Sequence, residues 1–273
     1  MASPRYELSD AQWAVIHELL PPNGRRGQPG QDHRRVTDGI PWALSDGGRW
    51  RNVPARYGNW KTGCERFRGW SQEGVWDDIL SEPQTRKAVA GAIHWDLFAI
   101  DGSVVRAHPS AAGASTETAP DGEPADHAPG RSQGGFGTKR HLVAAVGGGE
   151  VLPLAVEVGP GQQHETRRVV SLVEALDERG MLPERLAGDK GYSAKWIRAY
   201  LLAKGVEPVI PHQKSEPGRD GPFDRAAYRE RNLIERGINL VKWFRRVATR
   251  DEKLAVHYRG VLTLAILFRV YLA

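Results

Sequence analysis

Tyr228-Arg-Glu-Arg231-Asn-Leu-Ile-Glu235-Arg-Gly-Ile-Asn-Leu-Val-Lys242-Trp-Phe244 is the stretch whose reading decides the rest of the chain. On an α-helix at about 100° per residue, Arg231, Glu235 and Lys242 fall at roughly 300°, 340° and 320° from Tyr228. The four polar residues therefore share one stripe. Leu233, Leu240, Val241, Phe244 and Val247 occupy roughly 100° to 220° of the same wheel, a core-facing side opposite that stripe. One carboxylate among cations can hold a divalent cation while Arg and Lys neutralise a polyanion brought to it. Taken alone, the helix is read more simply as a solvated face with charges at helical spacing.

The spacing Y-x-x-R-x-x-x-E-x-x-x-x-x-x-K, here Tyr228, Arg231, Glu235 and Lys242, resembles the signature around the acidic residue of DDE transposases from bacterial insertion sequences. Such an enzyme requires two aspartates elsewhere in the chain, each in a suitable structural setting.

A chain of 273 residues is long enough for one large or two modest domains. Its net charge of +5 and pI near 9.4 permit nucleic-acid binding, and the distribution is more telling than the total. Residues 49–68 hold six Lys or Arg against one acid, and residues 225–253 nine against four, so positive charge is gathered in two places. The single Cys64 excludes an internal disulfide and a cysteine-rich zinc module, and fits a reducing bacterial cytoplasm. The N-terminus lacks a signal-peptide core. Residues 261–273 are apolar but short and interrupted by Arg269, which predicts a buried terminal helix and no membrane span.

Residues 1–90 are expected to be helical. Ser9-Asp10 caps a first helix that Pro21-Pro22 ends, a Gly/Arg/Pro-rich link follows at 23–30, and further helices are expected over 32–45, 59–70 and from about 71. Six tryptophans, Trp13, Trp42, Trp50, Trp60, Trp70 and Trp76, crowd this region, and core packing accounts for most of them. In Arg49-Trp50-Arg51-Asn-Val-Pro-Ala-Arg56-Tyr57 the interleaving of Arg with aromatic rings suits phosphate clamping and base stacking, so Arg49, Arg51 and Arg56 are candidate DNA contacts. A helical bundle with a basic connector resembles the N-terminal DNA-binding region of these transposases, helix-turn-helix variants included.

From about residue 91 the pattern changes. His94-Trp-Asp-Leu97-Phe98-Ala99-Ile100-Asp101-Gly102-Ser103-Val104-Val105 predicts a buried strand carrying Asp101, the alternative being an Asp-Gly turn. Residues 106–135 have no periodicity and are expected to form a mobile loop in which His108 and His127 have no role. Strands are expected over 138–146 and 151–158, joined at Gly147-Gly148-Gly149 in a hairpin; no phosphate-loop pattern surrounds these glycines. A helix opening at 162–166, a short strand running into Asp189, a helix over 193–204, a strand over 206–211 and a polar linker at 212–225 complete a β-α-β order. That order puts Asp189 at a strand's C-terminal end, where open α/β sheets build sites; the alternative is an ordinary loop or cap residue before Gly191.

This order resembles the α/β ribonuclease-H-like fold, a mixed sheet with flanking helices, preceded here by a small all-helical domain. Gly188-Asp189-Lys-Gly-Tyr192 also resembles the second motif of insertion-sequence transposases. The likeness runs from about residue 6 to the C-terminus and is greatest to the insertion sequence 5 family, with Asp101-Gly102-Ser103 a small departure from the commoner Asp-Ser/Thr. It implies domains at 1–90 and 91–273, with Asp101, Asp189 and Glu235 as catalytic residues holding Mg²⁺ or Mn²⁺, two ions in all, because hard cations take carboxylate oxygens. It further implies that Tyr228, Arg231 and Lys242 meet DNA, that the partners are terminal inverted repeats and target DNA, and that the chain works as a homodimer or higher oligomer at the nucleoid. Cleavage would free 3′-OH ends that then attack target DNA. Rival readings are a ribonuclease-H-like nuclease that cuts without joining, a non-catalytic DNA-binding protein, and a two-carboxylate glycosidase, which leaves the third acid and the basic helix unexplained.

Overall fold

The computed structural model describes residues 7–22, 32–114, 119–121, 123–124, 126–132, 134–214, 216 and 223–272. The link at 23–30 lies outside them, as do parts of the segments at 106–135 and 212–225. The chain forms two compact units, one of residues 1–86, 107–127 and 241–273, the other of residues 87–106 and 128–240.

The first unit is helical. Helix α1 (Asp10–Ile16) starts from a reciprocal capping box between Ser9 and Gln12, and α2 (His33–Asp46) from the Asp32 side chain. Helix α3 (Trp60–Gln72) is capped by Asn59, and α4 (Val75–Val89) follows after Gly74 takes a positive φ of 76°. Trp70 and Trp76 are buried edge to face, 5.2 Å between ring centres, as a small helical core needs.

The second unit is built on β1 (Phe98–Arg106), β2 (Gly130–Ser132), β3 (Gly135–Gly147) and β4 (Glu150–Pro160). Gly148 and Gly149, with φ of 58° and 81°, make the tight β3–β4 turn that only such φ values allow. Helix α5 (Val169–Asp177) buries Val169, Leu172, Val173 and Leu176, then β5 (Arg185–Ala187), α6 (Lys195–Ala203) and β6 (Glu207–Val209) follow. Strand β3 runs antiparallel beside β1 and β4 antiparallel on the far side of β3, while β5 pairs parallel with β1 and β6 parallel with β5, giving the order β4-β3-β1-β5-β6 with β2 also on β3. This is the strand order of a ribonuclease-H-like sheet, as expected.

Two expectations need correction. The segment 106–135 is not simply a mobile loop: β1 runs to Arg106 and β2 pairs with β3. Within it, His127 is buried against Glu123 at 3.0 Å, and its carbonyl accepts a hydrogen bond from the fully buried Arg250. The helix drawn through 228–247 is in three pieces, α7 (Arg225–Glu230), α8 (Asn232–Val241) and α9 (Arg245–Ala248). Its buried face includes Ile234 and Ile238, whereas Leu233 and Leu240 are only half-buried, because the break at Arg231 rotates α8 away from the continuous wheel. The terminal helix, α10 (Ala255–Ile266), is buried as expected, but against the N-terminal helices: Ser71 and Trp76 lie where a side chain at Gly260 would stand, and His257 faces Phe67. Among the described residues no helix is long and apolar enough to cross a membrane.

Candidate active site

Asp101 is the fourth residue of β1 and stays in register with Leu142 of β3, so Asp101-Gly102 is strand and not turn. Its position is inward: the carboxyl side chain is 17% exposed. On the other side β5 pairs with β1 through Ala99 and Ala187. Asp101 stands two residues further along β1, and Asp189 two residues past the end of β5. The chain leaves β5 there, and Asp189 caps a 3-10 turn at Lys190–Tyr192 by accepting the Gly191 N–H at 2.8 Å. The cap reading and the strand-end reading of Asp189 are therefore both correct.

Glu235 reaches this place from α8. Arg231, at the break between α7 and α8, sets its guanidinium 3.7 Å from Asp101 and 3.8 Å from Glu235, joining strand acid to helix acid through one cation. Arg231 is 13% exposed and its Nε has no hydrogen-bond partner, whereas Glu235 is 61% exposed. Tyr228 lies under the same guanidinium, 5.5 Å from ring centre to cation. Lys242, placed on the shared stripe by the continuous-helix reading, comes after α8 has ended at Val241 and belongs to the helical unit.

Burial pushes the Asp101 carboxyl up to about 6, with Asp189 and Glu235 adding to the effect and Arg231 opposing it. Asp101 thus feels both other acids. Around them lie residues that sequence reading did not single out. Glu165 approaches Gly102 and Gly191 and pairs with Lys139 at 3.2 Å. His141 of β3 faces Gly102 with neither ring nitrogen hydrogen-bonded; burial first, then Lys139 and Arg168, lowers it to about 3, so the ring is neutral. The Tyr192 hydroxyl is buried without a partner and is raised well above its ordinary value by burial, then by Asp101, Glu165 and Asp189. The alternation of 138–146 could have pointed to His141, since a polar residue there interrupts a buried strand. Nothing local to Glu165 marks it.

Residues 96–268 match the family model of the transposase DDE domain, and residues 8–80 that of a putative transposase of IS4/5 family. The chain belongs to the DDE transposase family. It is 32% identical over 129 residues to a putative transposase for insertion sequence element IS6501 of Brucella ovis (47% of this chain, 93% of that protein). It is also 35% identical over 109 residues to an uncharacterized protein, y4sN, of Sinorhizobium fredii (39% of this chain, 82% of that protein). Among solved structures, it is 10% identical, at a TM-score of 0.36, to a chain of a simian T-cell lymphotropic virus intasome in complex with PP2A regulatory subunit B56 gamma. That match covers 64% of this chain and about half, 48%, of the other.

A DDE transposase is a metal-dependent enzyme that cuts and joins DNA, and the donor chemistry at this site suits a hard divalent cation. All three acids offer oxygen, and a positive ion would offset both the burial that raises Asp101 and the repulsion from Asp189 and Glu235 that adds to it. Among the described residues, no three His, Cys, Asp or Glu side chains stand close enough together to hold one ion. Arg231 instead supplies the positive charge between Asp101 and Glu235.

In the helical unit of the transposase, the three candidate DNA contacts separate. Arg49 and Arg51 line a cavity, while Arg56 is turned to Tyr57, at 3.0 Å, and Glu7, at 3.6 Å.

Proposed function

We propose that this chain is the transposase of a bacterial insertion sequence, acting on DNA in the cytoplasm at the nucleoid. It binds terminal inverted repeats as a homodimer or larger assembly, hydrolyses a phosphodiester at each end to free a 3′-OH, and joins that end to target DNA. Asp101, Asp189 and Glu235 hold the divalent cations, Mg²⁺ or Mn²⁺ and two in number. Bound there, such ions would supply Lewis acidity for phosphodiester cleavage and joining.

The observation that carries this reading is Arg231 shared between Asp101 and Glu235, with Asp189 close enough to raise Asp101 further. The chain's own part follows from it. Arg231 neutralises the acids until a phosphate draws it away, and its departure leaves the carboxylates free to close on positive charge. Tyr228 carries the guanidinium on its ring face and so holds it near the path of the strand. Glu165, tied to Lys139, keeps a further carboxylate beside Gly102, and Lys242 meets DNA from beyond the end of α8.

The experiment is strand transfer with a pre-cleaved transposon end. A transposase joins that end to target DNA, whereas a ribonuclease-H-like nuclease that only cuts yields no joined product and would displace this reading.

A further inference from the structure

The helical unit contains a cavity of about 970 Å³ that the three acids do not border. Its walls come from the 3-10 turn at Trp50–Asn52, helix α3, the start of the 107–127 segment, α9 and the approach to α10. The sequence brings unusual charge to it. Five cations line it, Arg49, Arg51, Arg68, Arg246 and Lys253, against two acids, Asp251 and Glu252. Glu252 is committed to Arg246 in a buried pair at 2.6 Å, and Asp251 faces His108 at 3.8 Å. Among the described residues, the side chains of Arg49, Arg51, Arg68 and Lys253 make no ion pair. Four positive groups therefore face the cavity uncompensated.

The same walls carry flat aromatic surface. Trp60, on the first turn of α3, is 39% exposed. The Trp50 ring lies against Phe67, 5.4 Å between centres, with the Arg246 guanidinium over it at 5.7 Å. A polar atom without a partner inside the protein belongs to the same lining. His257 is 8% exposed, lines the cavity, and its Nε2 has no hydrogen-bond partner. Burial, with Arg68 next in weight, lowers the ring to about 4, so it is a neutral imidazole able to donate or accept. An unpaired buried nitrogen is costly unless a ligand satisfies it.

A small inorganic anion would use the arginines and waste the tryptophans, and an apolar ligand would do the reverse. A group with a planar ring, a hydrogen-bonding edge and phosphates on either side uses all three features. Paired bases present no free face, so the ring must come from an unpaired position.

We propose that this cavity binds an unpaired nucleotide, its base against Trp60, its edge toward His257 and its phosphates on Arg49, Arg51 and Arg68. The proposal rests on the transposase reading only for the source of the nucleotide. A DNA strand opened near a transposon end and a free nucleotide present the same chemistry.

Binding assays with the full-length protein, in EDTA so that no cleavage is read, test this. The probes are a fluorescein-labelled 12-nucleotide single strand, the same strand with central abasic positions, the blunt duplex, and deoxyadenosine monophosphate as competitor. The single strand should bind at least about five-fold more tightly than the abasic strand, the low end of what base stacking contributes. Trp60→Ala should erase that difference. Arg49→Gln/Arg51→Gln should weaken both strands and flatten their salt dependence. A strand binding well beyond saturation by the monophosphate assigns the site to DNA, and equal affinity assigns it to the free nucleotide. Circular dichroism of Trp60→Ala, and the unmutated protein's own comparison of intact with abasic strand, guard against misfolding. Equal binding of intact and abasic strands by the unmutated protein overturns the proposal, and does so without bearing on cleavage or joining.

Discussion

The guanidinium of Arg231 stands 3.7 Å from the carboxylate of Asp101. The two residues are brought together from the middle of β1 and the break between α7 and α8, so the contact reports both the sheet and the helix entry. Because Arg231 favours ionised Asp101, Arg231→Gln should lower thermal stability more at pH 7.5 than at pH 4, where Asp101 is protonated. Melting curves at the two pH values check this, and an equal loss at both would mean that the pairing carries no weight.

Asp101 itself gives the complementary outcome. Its folded value of about 6 lies above the ordinary 3.8, so the native state binds more protons between those values and stability falls as pH rises through that window. The full cost, on the order of 3 kcal/mol, is present above about pH 6. Asp101→Asn should therefore melt higher than the unmutated protein at pH 7.5 in EDTA, and close to it at pH 4. A lower melting temperature at pH 7.5 would contradict the burial and repulsion described here.

The register of β1 on β3 is tested at Gly137, opposite Arg106. A side chain at Gly137 would stand 2.5 Å from the Val105 carbonyl oxygen, a backbone atom that cannot move without opening the strand pair. Gly137→Ala should cost about 1–3 kcal/mol in urea denaturation. No change in the midpoint would imply a different register.

Helix α10 packs on α3, with Ser71 and Trp76 filling the space at Gly260 and Tyr258 fully buried. A fragment of residues 1–90 therefore lacks part of its own core. It should show no cooperative thermal transition, and covalent linkage to residues 241–273 should improve its folding. A cooperative transition in the isolated fragment would show that the N-terminal helices suffice.

Legibility in the sequence followed the range of the forces involved. The β1, β3 and β4 strands were readable because β-branched runs and Gly148-Gly149 act locally, and Asp101 and Asp189 stood out as acids attached to such runs. Ser9 announced its helix because a cap depends on neighbours two or three residues away, and the side chains of Asp32 and Asn59 do the same at the expected starts of the next two. The break at Arg231 was not readable: the wheel assumes an unbroken helix, and Arg231 departs from it where its side chain turns to Asp101, a contact spanning 130 residues by subtraction. Glu165 was missed for the same reason, since it meets Gly102 and Gly191 only across the fold, whereas His141 interrupts a readable strand and Tyr192 sits in the turn that Asp189 caps. Arg250 at the centre of a polar core, bonded to His127, Glu252 and Lys253 carbonyls, likewise has no local signature.

The most direct test of the central claim measures binding, cleavage and joining in parallel for Asp101→Asn, Asp189→Asn and Glu235→Gln on DNA carrying the element's own ends, with Mg²⁺ or Mn²⁺. Each variant should bind those ends within about two-fold of the unmutated protein and lose cleavage and joining together by at least about a hundred-fold, as removal of a charged metal ligand dictates. Near-normal joining of a pre-cleaved end by any one of the three would contradict its place in the active site.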